Sequence, residues 1–129
     1  MIELTVKEVM ESVGVLNEIM EQPFHGALAF KISRIIRELR KEVESFNTER
    51  DKIIRVFSEK DENGKPVLLE NGNIKIRSDL VKECNDEFEK LLGTSIEINA
   101  EKLDLDELDE IEITPKKMES ILVLVDGKE

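Results

Sequence analysis

Residues 28–57 read LAFKISRIIRELRKEVESFNTERDKIIRVF, and within them Leu28, Ile32, Ile35, Leu39, Val43, Phe46, Ile53 and Phe57 recur at steps of three and four. The single break is the seven-residue step from Phe46 to Ile53, where Arg50 stands in the gap. This spacing puts every member of the stripe on one side of an α-helix about nine turns long. A seam of that length has to be covered, by other parts of the chain or by a second copy in a coiled coil.

Working toward the N-terminus, Thr5-Val6-Lys7-Glu8 matches a capping box, in which the Thr hydroxyl and the Glu carboxylate satisfy free amides of a first helical turn. Val6, Val9, Met10, Val13, Leu16, Ile19 and Met20 then keep helical spacing, predicting a first helix over 5–21. Pro23 ends it and Gly26 loosens a short connector before the long helix, expected over 26–58. So short a link makes antiparallel neighbours, giving a helical hairpin over 5–58. The first helix can cover only the upper half of the stripe. The lower half, Phe46 to Phe57, needs another cover.

Toward the C-terminus, Asp61-Glu62-Asn63-Gly64 breaks the helix. Two short apolar runs flank Asn71-Gly72, which predicts a 66–76 hairpin with a type I′ turn and positive φ at both central residues. Ser78 or Asp79 can cap a third helix running from Leu80 to Leu92, with Cys84 and Phe88 on its apolar face and Gly93 as its stop. This helix is the expected cover for the lower stripe. Ile96-Glu97-Ile98 and Ile111-Glu112-Ile113 alternate like strands, near 95–99 and 110–113. Thr114-Pro115 opens a last helix carrying Met118, Ile121, Leu122 and Val125 before Gly127. No internal repeat stands out. The fold class is α+β: an N-terminal antiparallel helical hairpin with one long helix, a small antiparallel sheet and two further helices. One domain is expected over 1–129, its 66–125 portion packed on the long helix.

The totals restrict function. All five aromatics are Phe, so the core is aliphatic, and 40% hydrophobic content at helical spacing opposes the disorder that 38% charged residues would otherwise suggest. The net charge of −11 disfavours general affinity for nucleic acid. That charge is unevenly spread: residues 31–60 carry nine Lys/Arg against six Asp/Glu, whereas 97–112 carry eight Asp/Glu against one Lys. Two solvated faces of opposite sign that attract each other account for this. The lone Cys84 excludes an internal disulfide and a Cys-based zinc site, and fits a reducing compartment. The first residues lack the basic start and apolar run of a signal peptide, and Ile121–Val125, the longest apolar run, is too short to span a bilayer.

Sites of chemistry are scarce. A calcium loop starting at Asp61 would need ligands or glycine where Lys65, Pro66 and Gly72 stand, so that stretch is a turn. Asp104, Asp106, Asp109 and Glu110, with Glu107 and Glu112, form an acidic segment whose interleaved Leu and Ile residues tie it to the core. It is read first as solvated surface, next as a protein-contact patch, and last as a phosphate mimic or cation site. Arg34, Arg37 and Arg40, with Lys31 and Lys41, form a basic face beside the stripe. Arg50 at a seam position either pairs with a buried carboxylate and sets register, or snorkels from a loosely packed end. His25, the only histidine, and Cys84 make no recognisable nucleophile–base arrangement, and no phosphate-binding, dinucleotide, nucleophile-elbow or metalloprotease motif occurs. No enzyme activity, catalytic residue, metal or cofactor is expected.

The run Phe46 to Ile54, then Glu59-Lys60-Asp61-Glu62-Asn63-Gly64, the Asn71-Gly72 turn, and Phe88 to Leu92 leading into Ile96-Glu97-Ile98 resembles small, largely uncharacterised proteins of tailed bacteriophages and prophages of Gram-positive bacteria. The resemblance spans roughly residues 28–113. It implies a phage context, in the host cytoplasm or incorporated in the virion, and carries no catalytic signature. The leading expectation is a non-enzymatic protein acting through protein–protein contacts in head or tail assembly or as an accessory virion component, its partner a phage structural protein or a host protein. Self-association through the seam is a further option. The alternatives are an acidic inhibitor of a host nucleic-acid enzyme and a nucleic-acid-binding accessory factor using Arg34, Arg37 and Arg40.

Overall fold

A computed structural model describes residues 1–126. The fold is α+β. It divides into two compact units: Met1–Glu44 with the described part of Thr94–Glu129, and Ser45–Gly93. The helix α2 (Gly26–Phe57) is continuous in sequence across both. The division therefore falls inside the long helix and again at Thr94. The cause is a strand that periodicity alone did not reveal. β1 (Ile2–Thr5) pairs antiparallel with β2 (Ser95–Ile98), Ile2 opposite Ile98 and Leu4 opposite Ile96, returning the C-terminal segment to the N-terminus.

In the first unit β1 runs straight into α1 (Val6–Ile19) through the expected box. The Glu8 N–H donates to Thr5 Oγ1 at 3.2 Å and the Thr5 N–H to Glu8 Oε1 at 2.9 Å. Val9, Leu16 and Ile19 of α1 share one core with Leu28, Ile32, Ile35, Ile36 and Leu39 of α2, so the upper half of the stripe is covered as the spacing predicts. The closest helical neighbour of α1 is α4 (Pro115–Ile121), whose first turn is capped by Thr114, its Oγ1 accepting the Lys117 N–H. Buried Ile121, Leu124 and Val125 complete that core, the last two from a 3-10 turn (Leu122–Leu124) and from β4 (Val125–Asp126), which pairs in parallel with β3 (Leu103–Asp104). Gly127, the expected stop of the last helix, lies outside the described residues.

The strand expected near 110–113 does not form. Residues Leu105–Glu110 make a 3-10 helix, and Ile111-Glu112-Ile113 follows unpaired with any strand. The alternation is real, with Ile111 buried and Glu112 exposed. A side chain takes the ladder's place: Gln22 Nε2 donates to the Glu112 carbonyl at 2.7 Å, and the Glu112 N–H donates to Gln22 Oε1 at 3.0 Å.

In the second unit the 66–76 hairpin forms but does not join β1 and β2. It belongs to a closed triangle of three short segments joined by isolated bridges, Lys60 with Pro66, Leu68 with Ile74 and Ser58 with Ile76. At its centre the Glu59 N–H donates to the Lys75 carbonyl, the Lys75 N–H to Val67, and the Val67 N–H to Glu59, each at 2.8 Å. Nearer the corners, Asp61 donates to Lys65, Leu69 to Asn73 and Arg77 to Phe57. Both sets of donors recur every eight residues, and the two tight corners share the tripeptide Glu-Asn-Gly, at 62–64 and 70–72. An internal repeat therefore exists. It escapes a residue-by-residue reading because the third corner is the open one, where the chain enters and leaves, and lacks the tripeptide.

The corners are three-residue loops and not type I′ turns. The Gly72 N–H donates to the Leu69 carbonyl, Gly72 has φ +85°, and among the described residues no non-glycine residue has positive φ. Only the closing residue of such a loop needs the left-handed region, which spares Asn71. Gly64, at φ +77°, does the same at the first corner. A 3-10 turn (Ser78–Leu80) then leads into α3 (Val81–Leu92), on which Cys84 is buried. Neither Ser78 nor Asp79 caps α3 with its side chain; Asp79 accepts from Arg77 at 2.9 Å.

Candidate functional site

The acidic segment and the basic face meet at Lys31, and Arg50 belongs to the second unit. The acidic segment is organised by a second capping box, Asp104-x-x-Glu107, in which the Asp104 N–H donates to Glu107 Oε1 at 2.9 Å. The same oxygen receives Lys31 Nζ at 2.8 Å, with both side chains less than a third exposed. Lys31, followed by the Asp104 N–H, holds the Glu107 carboxyl below the usual carboxylate range, and Glu107 in turn raises Lys31. Glu110 pairs with Nδ1 of His25. These contacts line a shallow groove of about 400 Å³ that also includes Ala27, Leu28 and Asp106.

The four acidic candidates therefore have different situations. Asp104 is a half-buried cap, Glu110 is tied to His25, and Asp106 and Asp109 are exposed. Leu105, beside them, is 48% exposed. Glu107, left out of the contact candidates, is the residue that anchors the segment to α2, and the Asp-x-x-Glu spacing was the signal that could have found it.

The basic face is split between two concavities. Arg34 lines one of about 500 Å³ with Met1, Phe30, Lys31, Asn99 and Glu101. Arg37, Arg40 and Lys41 line another of about 450 Å³, whose apolar part is Met20 and Ile36. There Arg40 Nη2 donates to Asn17 Oδ1 at 3.2 Å, and Lys41 pairs with Glu38 at 2.9 Å.

Arg50 is not buried against a carboxylate. Its side chain is 44% exposed and meets its neighbour Asp51 at 3.4 Å. It stands at the edge of a cleft of about 550 Å³ lined by Ile54, Ile74, Ile76 and Phe88 within the second unit. α3 thus reaches the lower stripe without closing over it: Phe46, Ile53 and Phe57 remain half-buried, whereas Ile32, Ile35 and Leu39 above them are fully buried.

His25 has Glu110 as its partner, and burial pushes the Cys84 thiol up, the opposite of what an activated thiolate requires. Among the described residues no group of three or more His, Cys, Asp or Glu side chains is placed to share a cation, and no helix is long and apolar enough to cross a membrane. No protein-family model, curated protein or solved structure matches the chain.

Proposed function

We propose that this chain is a non-enzymatic phage or prophage protein that works by binding another protein, with the Arg50 cleft as its contact surface. One observation carries the reading: the second unit is short of core. Its 49 residues bury a single apolar side chain fully, Cys84, while Val56, Leu68, Leu69 and Val81 lie exposed. Small units with so little burial are marginal alone and gain stability when a partner covers their apolar surface. Ile54, Ile74, Ile76 and Phe88 present an apolar centre, and Arg50, Asp51 and Asn73 a polar rim, which is the composition of a protein contact. In the phage setting implied by the resemblance, the partner is a virion component or an assembly factor, met in the host cytoplasm or retained in the particle.

Phosphate mimicry is weaker, because Glu107 and Glu110 are engaged inside the chain and the remaining exposed carboxylates of the acidic segment, Asp106, Asp109 and Glu112, are only three. The test is affinity capture from infected cells with the wild type and the Ile54→Asp variant, the latter checked for helical content. Recovery of a phage-encoded protein by the wild type, lost with Ile54→Asp, is the expected result. Recovery of only a host nuclease or polymerase, or capture indifferent to the substitution, overturns the reading.

A further inference from the structure

The first unit carries a surface and its complement. The concavity formed by Asn17, Met20, Ser33, Ile36, Arg37, Arg40, Lys41 and Glu44 has an apolar floor in Met20 and Ile36 and a rim of three cations against one carboxylate. Lys41 is drawn toward Glu38 and Arg40 toward Asn17, but Arg37 is exposed with no described partner. On the 3-10 helix Leu105–Glu110, Leu105 is an exposed apolar knob flanked by the exposed carboxylates of Asp106 and Asp109, which likewise have no described partners. One feature offers an apolar hole with a net positive rim, the other an apolar knob beside negative charge.

Helix geometry keeps the two apart. The acidic segment is anchored to α2 at Lys31, and the basic concavity is built around Arg40, nine residues further on. At about 3.6 residues per turn that is two and a half turns, so the two residues point to opposite sides of α2. The knob of one molecule therefore has no access to its own hole. It can reach the hole of another.

We infer that the Arg37–Arg40 concavity is a docking site for the Leu105–Asp109 segment of a second copy of this chain. The contact is heterologous, one surface against a different one, so it propagates head to tail into a ring or an open chain and does not stop at a symmetric dimer. The net charge of −11 opposes association at long range. That repulsion is screened beyond about 8 Å at physiological ionic strength, whereas the paired charges at the contact are within a few ångströms of each other. Leu105, removed from water on docking, adds an apolar contribution that salt does not screen.

This inference rests on the protein-contact reading but uses different residues, so its test is separate. Sedimentation velocity is run on the wild type, on Arg37→Glu/Arg40→Glu, on Asp106→Lys/Asp109→Lys, and on an equimolar mixture of the two variants. The expected result is a wild type whose average mass rises with concentration beyond a dimer. Either double variant alone should associate at least about tenfold more weakly, since like charges then face each other. In the mixture each reversed surface finds an opposite one, and association returns. A wild type that remains monomeric to about 1 mM, the concentration at which a binding free energy is only about 4 kcal/mol, overturns the inference. So does association that survives both reversals, or assembly that appears only when DNA is added. None of these outcomes alters capture at the Arg50 cleft, and loss of capture by Ile54→Asp leaves the sedimentation result standing. Because the wild-type measurement needs no variant, a failure of either double variant to fold still leaves the inference open to refutation.

Discussion

The carboxamide of Gln22 pairs with both backbone groups of Glu112, donating to its carbonyl and accepting from its N–H. One side chain thereby does for residue 112 what a neighbouring strand would do, and Ile111 stays buried beside it without a ladder. Gln22→Ala removes both bonds from a site open to solvent, where water replaces much of what is lost, and should cost about 1 kcal/mol in urea denaturation. Gln22→Glu keeps an acceptor for the N–H but loses the donor, so its cost should come mainly from the Glu112 carbonyl. Equal stability of wild type and Gln22→Ala would show that the pairing contributes nothing.

That pairing also explains why the alternating stretch 110–113 misled. Period-two burial reports which side chains face a core, and it is silent on what satisfies the backbone between them. Where local chemistry decides, the sequence was legible. Thr5 and Glu8 close their box, the upper stripe from Leu28 to Leu39 is core, and Gly72 takes positive φ, although Asn71 before it does not. β1 was missed because Ile2-Glu3-Leu4 is too short a pattern to stand out, and it becomes a strand only when Ile96 and Ile98 arrive from ninety residues away. The exposure of Arg50 was equally non-local, since it depends on how far α3 reaches over α2 and not on any residue near position 50.

The Lys31–Glu107 pair sets a direction for the pH dependence of the first unit. The folded carboxyl of Glu107 titrates below its unfolded value, so its contribution is present above the usual carboxylate pKa of about 4.3 and is lost as pH falls through the lower folded value. Lys31 titrates above its unfolded value, so its share is full below the usual lysine range and is lost only at strongly alkaline pH. Stability from this pair is thus level through neutrality. Glu107→Gln should remove part of the acid-side slope and cost about 1 kcal/mol at pH 7, a modest figure because both partners retain some solvent. An unchanged slope between pH 3 and pH 6, probed by stepwise acid titration followed by circular dichroism at about those limits, would exclude the assignment.

Glycine substitutions should act with opposite signs in the two units. Gly14 lies inside α1, and a Cβ there would meet nothing within 4 Å, so Gly14→Ala should stabilise by about 0.5–1 kcal/mol through the unfolded chain. Gly72 also has open space around it, so the penalty of Gly72→Ala is the left-handed backbone alone, about 1–2 kcal/mol. Gly64→Ala should behave like Gly72→Ala because the two corners share one loop geometry. Hydrogen exchange locates the effect: faster exchange at Glu59, Val67 and Lys75 is expected in both corner variants, whose central bonds depend on the triangle closing. Loss of protection at only one of the three would show that the triangle is not cooperative.

Cys84 reports on the opening of the second unit. Its side chain is 2% exposed, and the same burial raises the thiol, so while the unit is closed the sulfur is both out of reach and kept from its reactive thiolate form. An aromatic disulfide reagent at neutral pH should modify the native protein slowly, at a rate set by how often the unit opens, and modify the denatured protein at once. Gly72→Ala should speed the native reaction by about tenfold for each 1.4 kcal/mol it removes, if opening and closing are fast relative to modification. A partner seated over Ile54, Ile76 and Phe88 should slow it by the same logic, since binding to the closed form lowers the open population. Rapid modification of the native wild type, as fast as in denaturant, would mean that the one fully buried apolar side chain of this unit is not protected, and that the unit presenting the Arg50 cleft is not held closed.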